Sequence, residues 1–288
     1  MLVRIAAFTH QGRQRRRNED CIAVGDWIRH GPMTAAAVST HTLLSIAQPD
    51  DNPVALDAPL APRGGMGVRA ERCNAVTQSS IDRPLIALIA DGMGGHPAGD
   101  VASRFAAERL ASDLPHVCGS DGALRKALQR VNRELIAEAR TEPARIAMGT
   151  TIAGVAVLPE EVVVFNIGDS RVYRADEGVL EQVSIDDVPH YYIPVLGVEL
   201  RTGELTQHLG GVPYEMPIEP HIVRLPIAGA QTWLICSDGL YDMVDDETIV
   251  TAISDDLAAS VQALFDAAMR AGGADNISII LLRTERGD

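Results

Sequence analysis

Between Leu85 and Gly99 the chain reads LIALIADGMGGHPAG, and no other stretch constrains the fold as tightly. Leu85–Ala90 has the length and composition of a strand covered on both faces. It ends at a carboxylate, Asp91, with glycines at 92, 94, 95 and 99. An ionised aspartate cannot enter such a core alone, because burying an unpaired carboxylate costs many kcal/mol. Asp91 therefore belongs at the strand's end, facing positive charge. The glycines let the backbone turn tightly and approach that charge. Two readings stay open at this point: a polar turn, or half of a cation site.

A strand of this kind needs layers above and below it. The chain has 288 residues, 46% of them apolar, and no stretch of disordered composition divides it. A single domain over 1–288 is expected. Period and turn signals predict strands at 2–8, 21–24, 150–158, 161–167, 171–175, 221–225, 231–236 and 277–282. An amphipathic helix is predicted at 99–114. A second helix should be N-capped by Asp121, with Leu124, Leu128, Val131, Leu135 and Ile136 on one face. Further helices are expected at 246–253 and 257–271, the latter stopped by Gly272. Residues 31–83 are broken by Pro32, Pro49, Pro53, Pro59 and Pro62 and read as an irregular insertion, with a short helix at 35–46 its one candidate element. Residues 184–220 are again irregular.

The formal charge of -14 argues against an extended nucleic-acid or anionic-membrane surface and is compatible with carboxylates gathered around cations. Cys21, Cys73, Cys118 and Cys236 lie far apart, with no C-x-x-C spacing, and read as free thiols in a reducing compartment. No apolar run approaches the ~20 residues that span a bilayer, and the N-terminus lacks the layout of a secretory signal. A soluble, cytoplasmic monomer is expected.

The acidic turns are weak singly and informative together. Asp91-Gly92, Gly168-Asp169, Asp238-Gly239 and Asp275-Asn276 all sit at ends of apolar strands, and Glu19-Asp20 precedes another. If these strands share a sandwich, the carboxylates form one cluster, which like-charge repulsion forbids without cations. All-oxygen donors, with no His or Cys at ligand spacing, point to Mg²⁺ or Mn²⁺ rather than zinc. Just before Glu19, Arg13, Arg15, Arg16 and Arg17 crowd into one segment. That segment is a solvated charged turn, a short basic patch or part of a site.

Six segments in order resemble the metal-dependent, type 2C serine/threonine protein phosphatases in their bacterial form. They are Arg15-x-x-Asn18-Glu19-Asp20, Asp91-Gly-Met-Gly-Gly-His, Met148-Gly-Thr-Thr, Gly168-Asp-Ser-Arg171, Ser237-Asp-Gly-Leu240 and Gly273-Ala-Asp-Asn276. The resemblance covers essentially the whole chain. It implies an α+β fold, a four-layer α-β-β-α sandwich of two packed antiparallel sheets flanked by helix pairs. It also implies two Mn²⁺ or Mg²⁺ ions. Asp91 would bridge them, Glu19 and the Gly92 carbonyl would complete one ion with Asp20 beside it, and Asp238 and Asp275 would hold the other. Asp169 matches a position that helps bind a weaker third metal, and Arg15 matches the arginine that grips phosphate. Thr150, Ser170, Arg171, Ser237 and Asn276 would support these groups. The implied reaction is hydrolysis of phosphoserine and phosphothreonine in proteins by a metal-bridging hydroxide, opposing a cognate protein kinase.

Two departures accompany the resemblance. The gap between Glu19 and Asp91 is unusually long, and the flap-like segment at 184–220 reads Asp186-Asp187-Val188 where relatives carry an acidic-His-Ser sequence. His96 is read as packing near the following helix rather than as a catalytic acid, since relatives place theirs where Met93 stands.

Overall fold

The computed structural model describes residues 1–33, 37–42, 83–93, 98–176, 178–193, 198–201 and 204–285. The described elements begin with strands β1 (Leu2–His10), β2 (Cys21–Val24), β3 (Trp27–His30), β4 (Ala37–Thr42), β5 (Leu85–Ala90) and β6 (Gly92–Met93). Two long helices follow, α1 (Gly99–Val117) and α2 (Asp121–Ala139). Next come β7 (Gly149–Thr150), β8 (Ile152–Val157), β9 (Glu161–Ile167), β10 (Arg171–Asp176), β11 (Val179–Gln182), β12 (His190–Ile193) and β13 (Val198–Arg201). The last are β14 (Leu209–Gly210), β15 (His221–Pro226), β16 (Gln231–Cys236), α3 (Asp238–Tyr241), α4 (Asp246–Ala252), α5 (Leu257–Arg270) and β17 (Ile277–Glu285).

Two six-stranded antiparallel sheets form the centre, in the orders β11-β10-β16-β17-β1-β4 and β15-β9-β8-β5-β2-β3. Leu85, Ala87 and Ile89 of β5 pack between the sheets against Ile5, Trp233 and Ile280. Ile86, Leu88 and Ala90 face α1 and α2, meeting Ala106, Leu110 and Leu128. The outer face of the other sheet packs Phe8, Leu234 and Ile279 on Leu264 and Phe265 of α5. These contacts build the expected α-β-β-α sandwich and explain why β5 is apolar at every position. Fully burying each of Leu85, Ile86, Leu88 and Ile89, all at 2% exposure or less, contributes roughly 1.5–3 kcal/mol. The strand that presents Asp91 is thereby held firmly.

The structure departs from three expectations. The helix anticipated at 35–46 is replaced over Ala37–Thr42 by β4, which pairs with β1 from Leu2↔Thr42 to Ala7↔Ala37. Its β-branched Val38, Thr40 and Thr42 recur at every second position, and β1 offers an edge that satisfies the backbone. Asp121 is not an N-cap. It stands in the first turn of α2 after Ser120, where its charge suits the helix dipole and its carboxylate accepts from Arg224 Nε at 2.6 Å. Residues 184–220 are not irregular throughout, since β12 and β13 pair as a hairpin and β14 pairs with β7. Most of the expected insertion at 31–83 lies outside the described residues, as does His96. Among the described residues, no helix is long and apolar enough to cross a membrane.

Candidate active site

β5 delivers Asp91 to one end of the sandwich, and the backbone there is tied down. The Asp91 carbonyl accepts from Thr151 N at 2.9 Å and from Thr150 Oγ1 at 2.8 Å. Asp91 N donates to Thr151 Oγ1 at 3.2 Å, and that hydroxyl meets Ser170 Oγ at 2.7 Å. Gly92 N donates to the Glu19 carbonyl at 3.2 Å, and Ser103 Oγ donates to the same carbonyl at 2.5 Å. A Cβ on Gly92 would lie 2.3 Å from the Gly99 carbonyl oxygen and 2.6 Å from that of Glu19, so only glycine fits.

The second half of the cluster comes from the turn between α5 and β17. Asn276 staples this turn to the β1–β2 loop: its Oδ1 accepts from Glu19 N at 2.7 Å, and its Nδ2 donates to the carbonyls of Gln11 (3.0 Å) and Arg17 (2.8 Å). Asp275 Oδ2 accepts from Arg15 Nη2 at 2.5 Å. Asp238 opens α3, and a Cβ on its neighbour Gly239 would lie 2.0 Å from the Asn276 carbonyl oxygen. That close approach sets α3 directly against the 275–276 turn.

Asp20 is fully buried at 0% exposure. Its Oδ2 accepts from Ser278 Oγ at 2.6 Å and Ser237 Oγ at 3.0 Å. Behind Ser278, Thr9 Oγ1 lies 2.7 Å away and itself accepts from Asn18 Nδ2 at 2.7 Å. Asn18 stood in a segment the sequence had singled out, but Ser278 and Thr9 carried no signal before the strands were assembled, because their register alone brings them to Asp20.

Burial pushes the Asp91 carboxyl well above the usual range, and the charges of Asp20, Asp238, Asp275 and Asp169 push the same way. Asp238 is raised to about 8, by burial first and then by Asp275, Asp169 and Asp20. Burial raises Asp20 to about 6 against the opposing hydrogen bonds from Ser278 and Ser237. Glu19 and Asp169 are raised chiefly by burial as well. Asp100 adds its charge at Glu19, and Asp242 adds its charge at Asp169 and Asp238.

Asp20 Oδ1 and Asp238 Oδ1 are buried without a hydrogen-bond partner among the described residues. Such orphaned carboxylate oxygens demand a counter-charge, and all-oxygen donors suit a hard divalent cation. The donor set therefore fits two Mn²⁺ or Mg²⁺ ions. As the side chains stand, no three of the described His, Cys, Asp or Glu residues close on a single point. Arg15 engages Asp275, and Ser278 and Ser237 engage Asp20.

Arg171 acts on Asp169 through space, its charge opposing the rise that burial causes, and through a chain of contacts. Its Nε and Nη2 grip Asp186 Oδ2 at 3.0 and 2.8 Å, and its guanidinium lies 3.6 Å over the Tyr241 ring. Tyr241 Oη in turn donates to the Asp169 carbonyl at 3.0 Å. Asp187, in the stretch that departs from relatives, accepts from Gly168 N (2.8 Å) and Gln207 Nε2 (2.8 Å) and lies 2.9 Å from His221 Nε2. It pins the segment beside the site to the Gly168-Asp169 turn.

The sequence profile described as Protein phosphatase 2C matches residues 72–276. The serine/threonine phosphatase stp of Listeria monocytogenes is 31% identical over 242 residues, 77% of this chain and 93% of its own. The serine/threonine protein phosphatase PstP of Mycobacterium tuberculosis is 33% identical over 203 residues, 67% of this chain and 39% of PstP. The crystal structure of that PstP aligns with a TM-score of 0.67 at 24% identity, covering 99% of this chain and 100% of the other. A structure of the PstP catalytic domain in complex with two manganese ions aligns at a TM-score of 0.64 and 25% identity, covering 99% and 100%. The chain belongs to the protein phosphatase 2C family. Within that class it is a metal-dependent serine/threonine protein phosphatase.

Proposed function

We propose that the carboxylates at the end of β5 hold two Mn²⁺ or Mg²⁺ ions and that this centre hydrolyses phosphoserine and phosphothreonine in proteins. The observation that carries the assignment is the pair of buried, unpartnered oxygens, Asp20 Oδ1 and Asp238 Oδ1, among carboxyls driven up first by burial and then by one another's charge. Asp91 would serve both ions, Glu19 and the Gly92 carbonyl one of them with Asp20 adjacent, and Asp238 and Asp275 the other. Asp169 would help hold a weaker third ion. When bound, the ions supply a water acidified to hydroxide near neutral pH and neutralise charge on the phosphoryl oxygens.

The chain's own residues supply orientation. Thr150 and Thr151 fix the Asp91 backbone, while Asn276 holds Glu19 and Asp275 in register. Arg15, its side chain 55% exposed at the mouth, presents a guanidinium that can grip two phosphate oxygens at once. A protein kinase must supply the phosphoester. The buried free thiols Cys21, Cys118 and Cys236 agree with a reducing, cytoplasmic setting.

The test is hydrolysis of an aryl phosphate and a phosphothreonine peptide with and without Mn²⁺. Turnover of both should require the metal, and Asp91→Asn should abolish it while leaving a cooperative unfolding transition. Metal-independent turnover, or a wild-type rate in the variant, would overturn the assignment.

A further inference from the structure

Arg13, Gln14, Arg15, Arg16 and Arg17 are all exposed on the loop between β1 and β2. The loop is not a loose arm. Arg13 N donates to the Gly273 carbonyl at 2.7 Å, and Asn276 Nδ2 binds the carbonyls of Gln11 and Arg17. Gly12 at φ +73° brings the backbone so close that a Cβ would lie 2.1 Å from the Asp275 carbonyl oxygen. The arginines are thus fixed on the rim of the carboxylate cluster.

Most described arginines outside this loop are matched to the chain's own acids: Arg125 to Glu219, Arg130 to Asp113, and Arg224 to Asp121 and Glu161. Arg15 takes Asp275. Arg13, Arg16 and Arg17 form no ion pair among the described residues. Three exposed cations with no ion pair of their own, of which Arg17 also acts through space on Glu19, are notable in a chain of net charge -14, whose overall field repels acidic substrates.

We infer that Arg13, Arg16 and Arg17 form a specificity rim for phosphoprotein segments whose phosphorylated residue is flanked by acidic side chains. The inference rests on the phosphatase reading above and names the substrate class of that same site. A nucleic acid fits less well. A continuous phosphate backbone would run from this short rim onto acidic surface, whereas strand-binding proteins track several nucleotides along a basic groove.

The experiment uses the Mn²⁺-loaded protein and three phosphothreonine peptides, flanked by Asp and Glu, by Ala, or by Lys. An exposed ion pair is worth a factor of about 1.5 to 5, so three should favour the acidic peptide over the neutral one roughly tenfold at low salt. The preference should collapse near about 0.5 M NaCl, where screening is short-ranged. The triple substitution Arg13→Gln, Arg16→Gln, Arg17→Gln should remove the preference through KM while the neutral peptide's kcat/KM stays within about twofold. Equal rates for acidic and neutral peptides in the wild type would overturn this inference alone. So would equal losses on both peptides in the variant, or a labelled single-stranded oligonucleotide that binds the wild type more tightly than the acidic peptide. No Mn²⁺-dependent turnover of any peptide would overturn the phosphatase reading as well.

Discussion

Replacing Asp238 with asparagine should stabilise the metal-free protein at alkaline pH while destroying its activity. A carboxyl whose pKa rises from 3.8 to about 8 on folding keeps a proton that the unfolded chain has released. Folding then costs about 1.4 kcal/mol for each pH unit between the two values. The folded state binds more protons throughout this window, so the sign is fixed. The contribution of Asp238 to stability is fully present below about pH 4 and is lost as pH rises toward 8. The cost is about 2 kcal/mol at pH 5 and roughly 5 kcal/mol at pH 8. Asparagine has the same shape and no such cost. At about 2–4 °C per kcal/mol for a chain somewhat smaller than this one, the variant should gain on the order of 10 °C in Tm over the wild type at pH 8, and far less at pH 5. Thermal unfolding in EDTA at both pH values is the assay. Mn²⁺ should raise the wild-type Tm at pH 8 and leave the variant nearly unmoved. A variant no more stable than wild type at pH 8, or a gap that does not widen with pH, would refute the electrostatic account of the cluster.

Arg15→Ala should lower kcat/KM for an aryl phosphate by about 10²-fold, the scale of losing one donor to developing phosphoryl charge. Arg15→Lys should recover only part, and an unchanged value would remove Arg15 from the site. Ser278→Ala should weaken Mn²⁺ affinity, read by calorimetry, by about tenfold through loss of the hydroxyl that aims Asp20, with Ser278→Thr restoring it. Unaltered affinity would reduce the serine to a packing residue.

Much of the fold was legible because the apolar runs are long and unambiguous. Leu85–Ala90 could only be a strand covered twice, and its partners between the sheets and beneath α1 cover it so. The misread elements are those where local signal and tertiary context compete. Ala37–Thr42 has β-branched spacing but lies among prolines and glycines, and the open edge of β1 made it a strand. Asp121 had the chemistry of a cap but found Arg224 instead.

At the site, the sequence alone determined the residue types. An Asp after a buried strand, glycines where backbones must touch, and an arginine four residues before Glu19 are all readable in order along the chain. Convergence is a matter of register and sheet packing. β1 opposite β17 brings Thr9 to Ser278, and the two sheets enclose Asp20 so that a pair of serines meets one of its oxygens and the other is left bare. Arg171 shows the same limit, since its neighbour in sequence is Asp169 but its partner in space is Asp186. Local sequence specifies which groups a segment can offer, whereas their charge state and partners depend on burial and on neighbours more than a hundred residues away.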